Sequence, residues 1–286
     1  MTNGSIRFEV VDRAAMRAVA AAAGISLGAV APAGPLAAQT DYYNTDSARP
    51  VRIEDAYPVE RYAFELQIAP FRLERSDDGE YTWEFEPELA YGILPRTNVE
   101  IGFPIAVTDG EGEEQTTGLG GVDLSLFHNL NVETGSLPAF GIAADVLLPV
   151  GGSAPGRAYP SVKAIATRTF SFVRTHLNAA YTFGSTPDEG EPLGEVSRWM
   201  AGVAIDKTFP LQAALLIGDV FVEQPLDEGE NPTWTVEAGT RYQLDPFFAL
   251  DAGVGRRLTG EHQGWFITFG AARAFAIRSL FPVGRQ

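Results

Sequence analysis

Apolar and polar side chains trade places every second residue along most of the chain from Tyr62 to Phe275. From Tyr81 to Tyr91, Tyr81, Trp83, Phe85, Leu89 and Tyr91 fall on one face, and Thr82, Glu84, Glu86 and Glu88 on the other. A helix would scatter those carboxylates around its axis, so a period of two, the period of a β-strand, is the reading that separates apolar from charged. Trp234 to Leu244 repeats the pattern, with Trp234, Val236, Ala238, Tyr242 and Leu244 opposite Thr235, Glu237, Arg241 and Gln243. Tyr62 to Ile68, Asn98 to Val107 and Val173 to Phe183 follow suit. Ser161 to Phe170 and Ala213 to Glu223 mix the two faces, and their assignment as strands rests partly on the even number that a closed up-and-down barrel requires.

About twelve strands result, over 62–76, 80–94, 97–109, 118–133, 138–149, 158–170, 173–184, 196–208, 211–224, 232–244, 247–259 and 263–275. Each is long enough for a tilted crossing of a hydrocarbon layer, which takes roughly 9 to 11 residues. The connections alternate. One set is mostly long and acidic, such as Asp109-Gly110-Glu111-Gly112-Glu113-Glu114 and Asp227-Glu228-Gly229-Glu230, and the other is tight, such as Leu94-Pro95-Arg96-Thr97 and Asp245-Pro246-Phe247. The expected fold is all-β: a transmembrane, up-and-down, antiparallel β-barrel over residues 61–275. Bacterial barrels carry short periplasmic turns and longer outer loops, which puts both termini in the periplasm of a Gram-negative-type cell, with outer-membrane lipid and the barrel-assembly machinery as partners.

Ahead of the barrel, Met16-Arg17, the small apolar run Ala18 to Val30 and the Leu36-Ala37-Ala38-Gln39 stretch have the layout of a secretory signal over residues 1–38, with Met16 as an alternative start. Residues 39–60, polar with Asp41, Asp46, Arg49 and Arg52, form an N-terminal segment that either plugs the barrel or lies beneath it, and 276–286 are a C-terminal extension. The formal charge of −16, from 37 acidic and 21 basic side chains, argues against nucleic acid as a partner. There is no cysteine, which removes disulfides, thiolate metal sites and cysteine nucleophiles.

Candidate chemistry concentrates on the inward faces. Glu84, Glu86 and Glu88 share a face, but alternate residues on a strand stand about 7 Å apart, too far to hold one small cation unaided. Basic residues fall inward on later strands, among them Lys163, Arg174, Arg198, Arg241 and Arg257. The expectation is pairing across the lumen, because an unpaired buried charge is costly; the alternative is a charged constriction in an open pore. Glu84, Glu86, Glu88, Arg174, His176, Arg198, Glu237 and Arg241 are therefore the candidate lumen-lining residues, with no cofactor, no metal and no catalytic group expected. A Ser/His enzyme would rest on His128, near Ser125, or on His176, but no Gly-Xaa-Ser-Xaa-Gly elbow is present.

Several segments carry a family likeness: Tyr91 to Gly102 (strand, tight turn, strand), Gly118-Leu119-Gly120-Gly121-Val122-Asp123-Leu124, Leu147-Leu148-Pro149-Val150-Gly151, and Tyr242 to Gly255 with its Asp251-Ala252-Gly253-Val254-Gly255 close. On these the chain resembles the outer-membrane β-barrel transporter family of the MetA pathway of phenol degradation, over about residues 60–275. The chain departs from the family where Ala276 to Gln286 follow the final aromatic, Phe275. The resemblance implies movement of small, aromatic or otherwise hydrophobic molecules across the outer membrane. The competing class is a structural or interaction barrel with a lumen filled by side chains.

Overall fold

Residues with alternating faces pair into one antiparallel sheet that closes on itself. The computed structural model describes residues 44–77, 79, 81–109, 116–186, 196–208, 213–227, 229–260 and 263–277. The proposed signal sequence, most of the two longest acidic connections, His262 and most of the C-terminal extension lie outside them.

The strands are β1 (Ala63–Ser76), β2 (Tyr81–Leu94), β3 (Thr97–Gly102), β4 (Ile105–Asp109), β5 (Thr116–Leu119), β6 (Val122–Asn131), β7 (Ala139–Leu148), β8 (Tyr159–Thr169), β9 (Arg174–Thr182), β10 (Ser197–Thr208), β11 (Ala214–Pro225), β12 (Thr233–Asp245), β13 (Phe248–Arg257) and β14 (Gly264–Ala276). Both β3 and β4 pair with β2, while β6 pairs with β3 and β5 with β4. Each of these two couples is thus one broken strand, and the wall has the twelve positions that the alternation predicts.

The stretches 97–109 and 118–133, expected to be continuous, are interrupted. Phe103 and Pro104 divide the first, where a proline has no N–H to give to a ladder. Gly120 and Gly121 divide the second, and Gly121 has φ +141°, a conformation glycine adopts readily. The barrel closes between its first and last strands, from Ala63 opposite Ala276 to Ser76 opposite Gly264. A bulge at Ala69-Pro70 shifts β1 against both of its neighbours.

Outward positions are apolar and exposed, including Trp83, Leu126, Leu177, Tyr181, Trp234, Tyr242, Ile267 and Phe269. Such a band has no use facing water and suits hydrocarbon, with Trp and Tyr suited to its edges. The inward face is different from a soluble core. It buries Glu65, Asn129, Thr167, His176, Asn178, Asp206, Asp219, Arg241 and Asp251, together with Arg49 and Asp55 from ahead of β1.

Candidate functional site

What fills the lumen is the chain's own N-terminal segment. Residues 49–56 run around the inside of the wall in the reverse of chain order. Pro50 lies against Gly239 of β12 and Gly253 of β13, and Arg52 and Ile53 reach β12 and β11. Glu54 meets β9 and β8, Ala56 meets β8 and β6, and the Glu60 carbonyl lies against Gly92 of β2. Along the wall, five strand spacings separate β13 from β8, about 24 Å at about 4.8 Å each. Six residue steps reach at most about 20 Å, so the segment meets these strands only because it runs inside them, on a shorter path. A Cβ at Gly239 would stand 2.7 Å from Pro50 Cβ, and one at Gly253 would stand 2.6 Å from the Pro50 carbonyl oxygen. Both positions have to be glycine for the segment to lie where it does.

Polar wall residues satisfy the segment's main chain. The Arg52 N–H donates to Glu237 Oε2 at 2.6 Å and the Ile53 N–H to Asp219 Oδ2 at 3.0 Å. Asn178 accepts the Glu54 N–H at 3.0 Å and donates to the Glu54 carbonyl at 2.9 Å. Thr167 Oγ1 accepts the Ala56 N–H at 3.0 Å while Asn129 Nδ2 donates to the Ala56 carbonyl at 2.7 Å. Asp219 and Glu237 stand directly opposite each other on β11 and β12, an arrangement that like charges would disfavour. The two donated N–H groups offset that repulsion.

Three charge clusters anchor the arrangement. Arg241, fully buried, lies 3.1 Å from Asp46, 3.6 Å from Glu65 and 3.6 Å from Asp251, and Arg49 approaches the same three carboxylates. Arg174 binds Asp206 at 2.6 Å and lies 3.6 Å from Asp55. Nearer the long-loop end, Arg257 bonds Glu74 at 2.9 Å, and Arg72 reaches Glu74 and Glu84 at 3.0 and 3.7 Å. Within the segment, burial pushes the Asp55 carboxyl up to about 6 against the opposing pull of Arg174 and His176. Asp46 is held below its ordinary range, because Arg49 and Arg241 outweigh the effect of burial.

The candidate residues thus separate into groups. Arg174, His176, Glu237 and Arg241 converge on the segment or on residues that hold it. Glu84, Glu86 and Glu88 remain on β2, and the expected pairing of this triplet with Arg174, Arg198 and Arg241 across the lumen is not what those arginines do. Arg198 instead donates to the carbonyls of Thr182 and Gly184 at the long-loop end of β9. The physical reason is proximity: Arg241 and Arg174 have carboxylates on the adjacent strand, Asp251 and Asp206, and the segment brings more. Lys163, also expected to pair across the lumen, bonds Glu54 of the segment at 2.6 Å.

Arg49, Glu54, Asp55, Glu65, Asp206, Asp219 and Asp251 were not among the candidates. A signal for part of this network existed in the two mixed runs. In β11 the inward residues Leu215, Ile217 and Phe221 are buried, with Val51 and Ile53 packed on the last two beside Met200 and Ala204. In β8, Ile165 packs with Ala56, Phe127, Ala139 and Ala143. These inward apolar residues broke the alternation because they seat the segment.

Neither histidine forms a hydrolase site. His176 Nδ1 lies 3.0 Å from Thr167 Oγ1, and its Nε2 lies 2.8 Å from Asp206 Oδ2. That chain of atoms has the order of a nucleophile, base and acid, but Thr167 and His176 are fully buried and the Thr167 hydroxyl already accepts the Ala56 N–H. His128 faces outward and contacts Thr97, whereas Ser125, three residues away, lies on the inward face. No group of His, Cys, Asp or Glu side chains suited to a metal ion occurs among the described residues. At the tight-turn mouth lies a cavity of about 710 Å³, lined in part by Tyr57, Arg61, Arg96, Phe170, Phe172 and Lys207.

No protein-family model matches the sequence, and no curated protein does either. The fold has solved counterparts. A KdgM porin is 11% identical, with a TM-score of 0.50, over 74% of this chain and 99% of the porin, and the same porin in complex with disordered oligogalacturonate matches at 12% identity and 0.50 over the same shares. The COG4313 outer membrane channel from Pseudomonas putida F1 is 12% identical, with a TM-score of 0.51, over 77% of this chain and 98% of that one. The likeness at these identities is one of architecture: this chain has the closed twelve-stranded barrel fold seen in outer-membrane porins and channels.

Proposed function

We propose that this protein is an outer-membrane channel for small solutes whose lumen is occupied at rest by its own N-terminal segment, with the tight turns and both termini facing the periplasm. The exposed apolar outer wall supports the membrane placement, and the architecture shared with porins supports a channel. The observation that carries the reading is the contrast between that outer wall and an inner wall of ionisable and amide side chains, which hold the segment by hydrogen bonds that water can replace. The resemblance to the MetA-pathway family points to aromatic or hydrophobic solutes; the polar wall favours small molecules that carry hydrogen-bonding groups.

Single-channel recording in a planar bilayer tests this. Wild type should show rare or small openings, and deletion of residues 44–60 should give persistent, larger steps. A full-length Gly239→Leu/Gly253→Leu variant, which fills the space of Pro50 without shortening the chain, should do the same, with heat-modifiable migration confirming the barrel. Density of ion pairs favours a second reading, a permanently filled structural barrel. Folded but silent variants would establish that reading in place of the channel.

A further inference from the structure

The contacts over residues 50–56 are of a kind that does not depend on the segment's side chains. Both main-chain groups of Glu54 are held by Asn178, and both main-chain groups of Ala56 are held by Thr167 and Asn129. The N–H groups of Arg52 and Ile53 go to Glu237 and Asp219, and Thr268 Oγ1 donates to the Pro50 carbonyl at 3.4 Å. Between Glu54 and Ala56, Asp55 turns the other way and donates its N–H to the Thr45 carbonyl, whereas Arg52, Ile53 and Glu54 give the wall three successive N–H groups. Asn129, Thr167, Asn178, Asp219 and Thr268 are each more than nine-tenths buried. A wall that only had to fill space could do so with apolar side chains. This one presents acceptors and donors at the spacing of peptide groups.

Side-chain selectivity is layered on top. Arg49 enters between Asp251 and Glu65, Ile53 enters the apolar cluster of Met200, Ile217 and Phe221, and Glu54 meets Lys163. The layout is that of peptide recognition, in which main-chain hydrogen bonds give affinity and pockets for individual side chains give preference.

Resting on the channel reading, we propose that the inner wall of β6, β8, β9, β11, β12 and β14 is a binding track for an extended oligopeptide, and that residues 50–56 are its tethered occupant. The solute class is then a short peptide with a basic residue, an aliphatic residue four positions later and a small residue three beyond it. Such a peptide takes the track when the segment leaves it.

The test uses the full-length chain with Arg49→Ala and Ile53→Asp, changes that weaken the tethered segment and leave the wall native. A synthetic peptide with the sequence of residues 44–58, labelled at its C-terminus, is titrated in and followed by fluorescence anisotropy. Saturable binding is expected. N-methylation of the Glu54 amide in the peptide, or Asn178→Leu in the barrel, should each weaken binding by about tenfold, the effect of one or two hydrogen bonds. No saturable binding up to about 1 mM, an affinity equivalent to only about 4 kcal/mol, overturns the inference, as does equal affinity for the N-methylated peptide. Current through the same variant separates the two readings. A conducting variant that ignores the peptide keeps the channel and rejects the track, whereas a silent variant that binds the peptide keeps the track and rejects the channel.

Discussion

The two sides of the lumen use the same residue types for different ends. On the side built from β8 to β14, carboxylates are engaged: Asp219 and Glu237 accept N–H groups of the segment, Asp206 and Asp251 meet arginines, and each sits where a donor arrives. On the side built from β2, β3, β6 and β7, the carboxylates Glu86, Glu88, Glu100, Asp123 and Asp145 gather on neighbouring strands, and the segment's contacts there are made by Ala56, with Asn129, Phe127, Ala139 and Ala143. Among the local contacts of these carboxylates, Asn98 donates to Glu100 and Ser161 to Asp145. The lesson is that an inward carboxylate's role is set by the donor that reaches it, from the segment for Asp219 and Glu237 and from an adjacent strand for Asp206. The engaged side holds a chain in place, and the acidic side is left to shape the field that a mobile ion or solute would feel.

The comparison can be broken first at Arg241. Arg241→Ala leaves Asp46, Glu65 and Asp251 with Arg49 alone in a buried site, and removing one partner of such a cluster costs roughly 3–5 kcal/mol. The folded, heat-modifiable form should then unfold at clearly lower urea, while Arg198→Ala, which removes donors to exposed-end carbonyls, should shift the midpoint far less.

A Glu84→Gln/Glu86→Gln/Glu88→Gln variant sharpens the contrast from the other side. Reversal potentials of the segment-released channel should show a several-fold loss of cation preference, with protease protection of residues 44–60 unchanged. Loss of that protection would mean that the β2 carboxylates also hold the segment.

The smallest effect is one of pH. The Asp55 carboxyl stands at about 6 when docked, against an ordinary 3.8. Its docked form therefore binds the proton more tightly. The contribution of this group to docking is fully present below pH 3.8 and is lost as pH rises through about 6. Protease access to the segment should increase between pH 5 and pH 7.5, and Asp55→Asn should flatten that rise. A rise that persists unchanged in Asp55→Asn would assign it to another group.

Much of the wall was legible because lipid and pleat dictate it. Strand ends at Ser76, Leu94 and Thr208 fall where the alternation stops, and tight turns such as Pro95-Arg96 bound them. The breaks at Pro104 and Gly120-Gly121 were written in residue types. Across Pro104 the alternation keeps its phase, with Val99, Ile101, Ile105 and Val107 all outward, so one long strand satisfied the pattern as well as two short ones; across Gly120-Gly121 it shifts by one residue, from Leu119 outward to Leu124 outward. The segment was harder. Residues 44–56 have no period of their own, because their conformation is set by side chains from strands far along the chain. Ile217, Phe221 and Ile165 looked like faults in the strand pattern when they were its complement to Val51, Ile53 and Ala56. Pairing across the lumen could not be read either, since a list of inward charges does not tell which strands are adjacent to which part of the segment.

Arg49 and Asp251 are separated by 202 positions in the chain. During synthesis and insertion the arginine exists long before the strand that receives it, and among the described residues β13 is followed by a single further strand. The latch can therefore close only when the wall is nearly complete. Occupancy of the lumen is in this sense a record of maturation, a mark that the last hairpin has arrived.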